Sequence, residues 1–70
     1  MAVQVRSEIT GNIWKIEAAD GASVAVGEML IIMESMKMEI PVESPVAGVC
    51  RLAVAEGDNV QEGDLLATIE

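Results

Sequence analysis

The chain has no histidine, phenylalanine or tyrosine, one cysteine (Cys50) and one tryptophan (Trp14). Each shortage removes a class of function. Without histidine and with a single thiol, the imidazole and thiolate ligands of a zinc-type site are lacking, and no metal site is expected. One cysteine cannot close an internal disulfide, and a lone thiol suits a reducing compartment. Basic residues are scarce too: two Lys and two Arg stand against twelve Asp and Glu, for a net charge of −8. That balance disfavours nucleic acid and anionic lipid, and suits basic docking faces on partner proteins. Solubility is the expected role of most of the carboxylates. No apolar run reaches membrane-spanning length. Residues Met1 to Arg6 lack the basic-then-apolar pattern of a secretion signal. There is no catalytic constellation, phosphate loop or basic patch. The expectation is a soluble, cytoplasmic, non-catalytic protein, monomeric in isolation, that contacts neither nucleic acid nor membrane.

What the chain does have is branched aliphatic residues. Its 70 residues include nine Val, seven Ile and four Leu. That bias favours strands, and the length allows one small domain over residues 1–70. Val3 to Arg6 alternates apolar and polar residues, as a half-buried strand does. Further strands are expected over Ile13 to Glu17, Ala22 to Val26 and Met29 to Met33, the last suited to burial on both faces. Past the middle they recur over Ile40 to Glu43, Val49 to Ala55, around Val60 and over Leu65 to Ile69. Pro41 points to an edge strand. Turns are expected at 7–11, Asp20-Gly21, Gly27-Glu28, 44–48, Glu56-Gly57-Asp58 and Gly63-Asp64. Acids such as Asp58 and Asp64 read as turn residues.

The recurrence is a repeat. At a shift of 37, Val3, Val5, Ser7 and Gly11 fall on Ile40, Val42, Ser44 and Gly48. One residue is then dropped. At a shift of 36, Lys15, Ile16, Gly21, Val24, Gly27, Leu30 and Glu34 fall on Arg51, Leu52, Gly57, Val60, Gly63, Leu66 and Glu70. Internal repeats weigh more than local propensity. Taken alone, Met29 to Glu39 reads equally as a helix rich in good helix formers. The repeat instead makes Ser35 to Glu39 the joint between two β units, where a turn belongs. Its sequence lacks the Gly, Asn or Asp of a tight hairpin, and such departures mark candidate functional positions. Two units of about four strands each suggest a pseudo-twofold, flattened barrel or sandwich. Lys37 would then stand at one end, with Met1 and Glu70 at the other.

These residues resemble the biotinyl/lipoyl carrier domains over nearly the whole chain. The resemblance rests on Glu34-Ser35-Met36-Lys37-Met38 at the joint, on Ser44-Pro45-Val46-Ala47-Gly48 after it, and on the matched Gly21/Gly27 and Gly57/Gly63 spacing. It implies an all-β, barrel-sandwich fold of two four-stranded antiparallel sheets. It also implies that Lys37 is the covalent attachment point, with Glu34, Ser35, Met36, Met38 and Glu39 forming the surface that a ligase and partners read. Met-Lys-Met marks the biotin branch of the family, whereas lipoyl domains usually carry Asp-Lys-Ala. Biotin is therefore the implied cofactor and lipoate the alternative. The implied partners are a biotin protein ligase, a biotin carboxylase and a carboxyltransferase. Ser35 departs from the Ala frequent in the family, and Ser7 to Gly11 lacks the proline often found there. The near-equal halves leave no room for a protruding thumb. The chain reads as a free-standing carrier or as a domain of a larger carboxylase, and an unmodified assembly or binding module is the reading from another class.

The ligase must supply a base, because a lysine amine is mostly protonated near neutral pH. Met36 and Met38 are soft, adaptable side chains suited to several partner pockets, or one of them packs down onto the barrel. Trp14 is expected at the core or rim. Cys50, matched to Trp14 by the shift of 36, is expected to be a packed, unreactive thiol. Lys15, matched to Arg51, should stay unmodified.

Overall fold

The computed structural model describes residues 2–70. It contains eight strands: β1 (Val3–Arg6), β2 (Gly11–Ile16), β3 (Ser23–Val24), β4 (Met29–Ser35), β5 (Met38–Glu43), β6 (Gly48–Leu52), β7 (Asn59–Val60) and β8 (Leu65–Ile69). They form two four-stranded antiparallel sheets, ordered β1-β8-β6-β3 and β5-β4-β2-β7. Neither sheet belongs to one half of the chain. Exchanging β1 with β5, β8 with β4, β6 with β2 and β3 with β7 converts one order into the other. The repeat is thus a pseudo-twofold with interleaved halves. Pro41 lies on β5, an edge strand as expected.

The symmetry reaches individual hydrogen bonds. Ser7 N–H donates to Asp64 O at 2.9 Å, and its counterpart Ser44 N–H donates to Glu28 O at 2.9 Å. Gly63 N–H donates to Ser7 O, and Gly27 N–H donates to Ser44 O. Gly21, Gly27, Gly57 and Gly63 hold φ between +81° and +92°, a region that glycine enters without a Cβ penalty. Turn carboxylates cap backbone donors in matched pairs. Asp20 accepts from Leu52 N–H and Glu56 from Ile16 N–H, while Glu28 accepts from Ala25 N–H and Asp64 from Gln61 N–H. Asp58 accepts from Ala55 N–H in the same way. Much of the acidity therefore holds turns in place.

One expected match is corrected. Gly57 N–H donates to Ile13 O, and its mate Gly21 N–H donates to Cys50 O. Cys50 therefore corresponds to Ile13, and Trp14 has no counterpart. Trp14 is the extra residue in a bulge of β2, where pairing with β4 steps from Ile13↔Met33 to Lys15↔Ile32. The bulge leaves the indole 47% exposed, at the rim rather than in the core. Two other strands are shorter than expected, since pairing stops at Val24 and Leu52. Ile32 keeps some exposure on the outer face, so β4 is not buried on both sides.

The core between the sheets includes Ile13, Leu30, Ile31, Met33, Cys50, Leu66 and Ile69. Burial pushes the Cys50 thiol above its ordinary range, and the Asp20 carboxylate adds in the same direction. Because the folded thiol titrates higher than the unfolded one, its contribution to stability is whole below the ordinary thiol range and is lost as pH rises towards the folded value. The native protein should resist alkylation by iodoacetamide at pH 8 and react fully once denaturant is added, as read by intact mass.

Candidate functional site

Strands β4 and β5 form a hairpin whose register runs up to Ser35↔Met38. Only Met36 and Lys37 remain for the loop, so the turn is tighter than the expected span of Ser35 to Glu39. Met36 has φ +52° and Lys37 φ +65°. Two consecutive left-handed residues in a two-residue loop are the signature of a type I′ turn, normally filled by Asn-Gly. For residues with a Cβ the left-handed region costs about 1 kcal/mol or more each. The strain is held by what lies beneath. Six register pairs join β4 to β5. Ser35 Oγ donates to Thr10 O at 2.9 Å. Gly11 lets β2 approach closely, since a Cβ there would meet Glu34 O at 2.6 Å and Ser35 Cβ at 3.2 Å.

The strain supports a stability prediction. Met36→Asn suits the first left-handed position, so it should stabilise by about 0.5–1 kcal/mol. For a domain of this size that raises the melting temperature by roughly 2–8 °C, measurable by calorimetry.

All six sequence-identified site residues gather at this hairpin. Met36 is 89% exposed and Met38 60%, so neither packs onto the barrel. Lys37 is exposed as well. The ion pairs among the described residues are Lys15–Glu17 at 3.9 Å and Arg51–Glu70 at 3.2 Å, so Lys37 is unpaired. Glu34 and Glu39 face each other across the ladder and are both exposed. Like charges directly opposite are unfavourable in a sheet, and here they make an acidic collar below the amine. Ser35 has a structural task, since its hydroxyl is directed at Thr10. At the far end of β8, Glu70 exchanges backbone hydrogen bonds with Val49. It is the counterpart of Glu34, in the opposite half. Met1 lies outside the described residues.

The sequence did not single out the groove beside the hairpin. It is lined by Thr10, Gly11 and Asn12 on one side and by Asn59, Val60 and Gln61 on the other, with Glu34 to Lys37 above. Only the pairing of β2 with β7, more than forty residues apart, brings these stretches together. Among the described residues no group of acids and thiols could hold a metal, and no helix is long and apolar enough to cross a membrane.

A protein family described as "Biotin-requiring enzyme", the biotin/lipoyl family, matches residues 1–69. The chain belongs to this family. It is 44% identical over 70 residues to the "Biotinylated protein TB7.3 homolog" of Mycobacterium leprae, covering 99% of each. It is 40% identical over 63 residues to the "Biotin/lipoyl attachment protein" of Bacillus subtilis, covering 89% of this chain and 86% of that one. Among solved structures, the urea carboxylase of Kluyveromyces lactis superposes with a TM-score of 0.92 at 39% identity. All of this chain is covered there, but only 6% of the carboxylase. The two-sheet architecture is thus that of a biotin/lipoyl attachment domain, here as a single all-β unit.

Proposed function

We propose that the chain is a biotin carboxyl carrier and that Lys37 Nζ is the atom acylated. One observation carries the reading: a strained two-residue turn holds a single unpaired amine in solvent, between two exposed thioethers. The similarity to a protein named as biotinylated supports the same reading.

The chain supplies no bond chemistry of its own. Its residues present and position. The β4–β5 ladder and the Ser35–Thr10 hydrogen bond fix where the amine stands. Met36 and Met38 offer adaptable apolar surface to a ligase, a carboxylase and a transferase in turn. The Glu34–Glu39 collar suits basic faces on those partners. Acylation consumes the lysine charge, taking the formal net charge from −8 to −9. Biotin, when bound, supplies a ureido nitrogen that accepts and gives up a carboxyl group. A stem of lysine plus side chain gives that nitrogen a reach of more than about 12 Å, and tethering replaces diffusion by a high effective concentration. A biotin protein ligase, a biotin carboxylase and a carboxyltransferase are the partners this requires. The carboxylase likeness supports the last two. A cytoplasmic setting belongs to the reading and is supported by the free, buried Cys50.

Lipoate is the second reading, supported by the name of the Bacillus relative. Intact mass after incubation with a biotin ligase, or with a lipoate ligase, decides between them. One biotinyl adduct is expected from the first and none from the second. A lipoyl adduct in place of biotin, or no adduct from either, overturns the proposal.

A further inference from the structure

The pseudo-twofold gives the groove beside Lys37 an internal control. The pairs Gly11↔Val60 and Asn12↔Asn59 at the lysine end correspond to Gly48↔Val24 and Val49↔Ser23 at the other. Positions that serve the fold agree: Gly11 with Gly48, Val60 with Val24, Glu34 with Glu70. The other positions along the groove do not. Thr10, Asn12, Asn59 and Gln61 stand where the other end has Ala47, Val49, Ser23 and Ala25. Three carboxamides are thus gathered at the lysine end alone. The side-chain hydrogen bonds there, Ser35 to Thr10 O and Glu62 N–H to Thr10 Oγ1, use none of the three. Asn12 is half-buried, Asn59 and Gln61 are exposed, and all three line the open groove.

We propose that this groove is a resting place on the carrier for the headgroup tethered to Lys37, held by the carboxamides of Asn12, Asn59 and Gln61. The inference rests on the biotin reading. A carboxamide presents N–H donors and a carbonyl acceptor side by side. A cyclic urea presents the same pair in reverse, so each amide can both donate to it and accept from it. The groove's volume of about 440 Å³ falls within the range of small-molecule sites, roughly 300–1,000 Å³. Its only charged walls are Glu34 and the lysine itself. Acylation neutralises the lysine, leaving a mostly neutral groove for a neutral ring in an otherwise acidic protein. Met36 adds apolar surface for the sulfur-bearing ring. Resting there would shield the headgroup between visits to partners.

The repeat also supplies fold-compatible replacements: Asn12→Val, Asn59→Ser and Gln61→Ala place at this end what the other end already carries. Both the parent and this triple variant are biotinylated and checked by intact mass and melting temperature. In the parent, nuclear Overhauser contacts are expected between the biotin ring protons and the side-chain amides of Asn59 and Gln61. Streptavidin should capture the triple variant faster. A headgroup parked two-thirds of the time slows capture about threefold. The single variant Gln61→Ala should show a smaller acceleration and serves if the triple variant does not fold. Biotin attached to the parent with no such contacts, and equal capture rates, overturns the resting place while leaving the carrier function intact. Slower turnover by the ligase or carboxylase without those contacts also overturns it, making the groove a partner's surface. Absence of biotin from the parent is instead a failure of the carrier reading itself, and the resting place falls with it.

Discussion

Lys37→Arg should fold like the parent and take no biotin at all. The two side chains share a charge and a flexible stem, and position 37 is exposed, so stability should move by no more than about 0.5 kcal/mol. The guanidinium, however, cannot be deprotonated in a protein and offers no nucleophilic amine. Lys15→Arg should keep the full adduct. Lys15 lies in the ladder of β2, beside Glu17, with no turn to lift it out. A sharper version exchanges Met36 and Lys37. Composition and both left-handed positions are kept, but the amine moves to the other corner of the turn. A misplacement of about 1 Å can cost roughly 100-fold in rate. The initial rate of ligation, followed by intact mass, should fall by at least that order. Unchanged ligation of the exchanged protein would mean that the ligase reads a flexible peptide rather than a held geometry.

Leu30→Ala and Leu66→Ala should each destabilise by about 2–5 kcal/mol. Both side chains are fully buried. Each sits where its strand skips a register position against an edge strand, β4 against β5 and β8 against β1. The two sites are pseudo-twofold mates, so the two costs should agree to about 1 kcal/mol. A domain of this length is stable by roughly 4–10 kcal/mol in all, so either change brings the chain close to unfolding. Urea denaturation at 25 °C measures both. A large cost at one site with none at the other would contradict a core shared equally between the halves.

The β character, the repeat and the joint at Lys37 were legible because each leaves a periodic trace. Branched residues recur at strand spacing, and four glycines mark matched turns in both copies. The tightness of the hairpin was not legible, since Met36 and Lys37 are poor residues for a type I′ turn. The β4–β5 ladder, the packing of Gly11 and the Ser35–Thr10 hydrogen bond explain why they are held there. The match of Cys50 to Trp14 fails for a related reason. One dropped residue can be slid along a short strand without disturbing the apolar pattern. Hydrogen bonds from Gly21 and Gly57 fix it at Trp14. The amide-lined groove was invisible because its two walls are distant in sequence and meet only through β2 and β7.

Fragmentation mass spectrometry of the ligase-treated protein tests the central claim most directly, because it names the modified residue. A single biotinyl group localised to Lys37, with Lys15 and the α-amine unmodified, is the expected result. Biotin on Lys15 or the α-amine of a folded protein would contradict it.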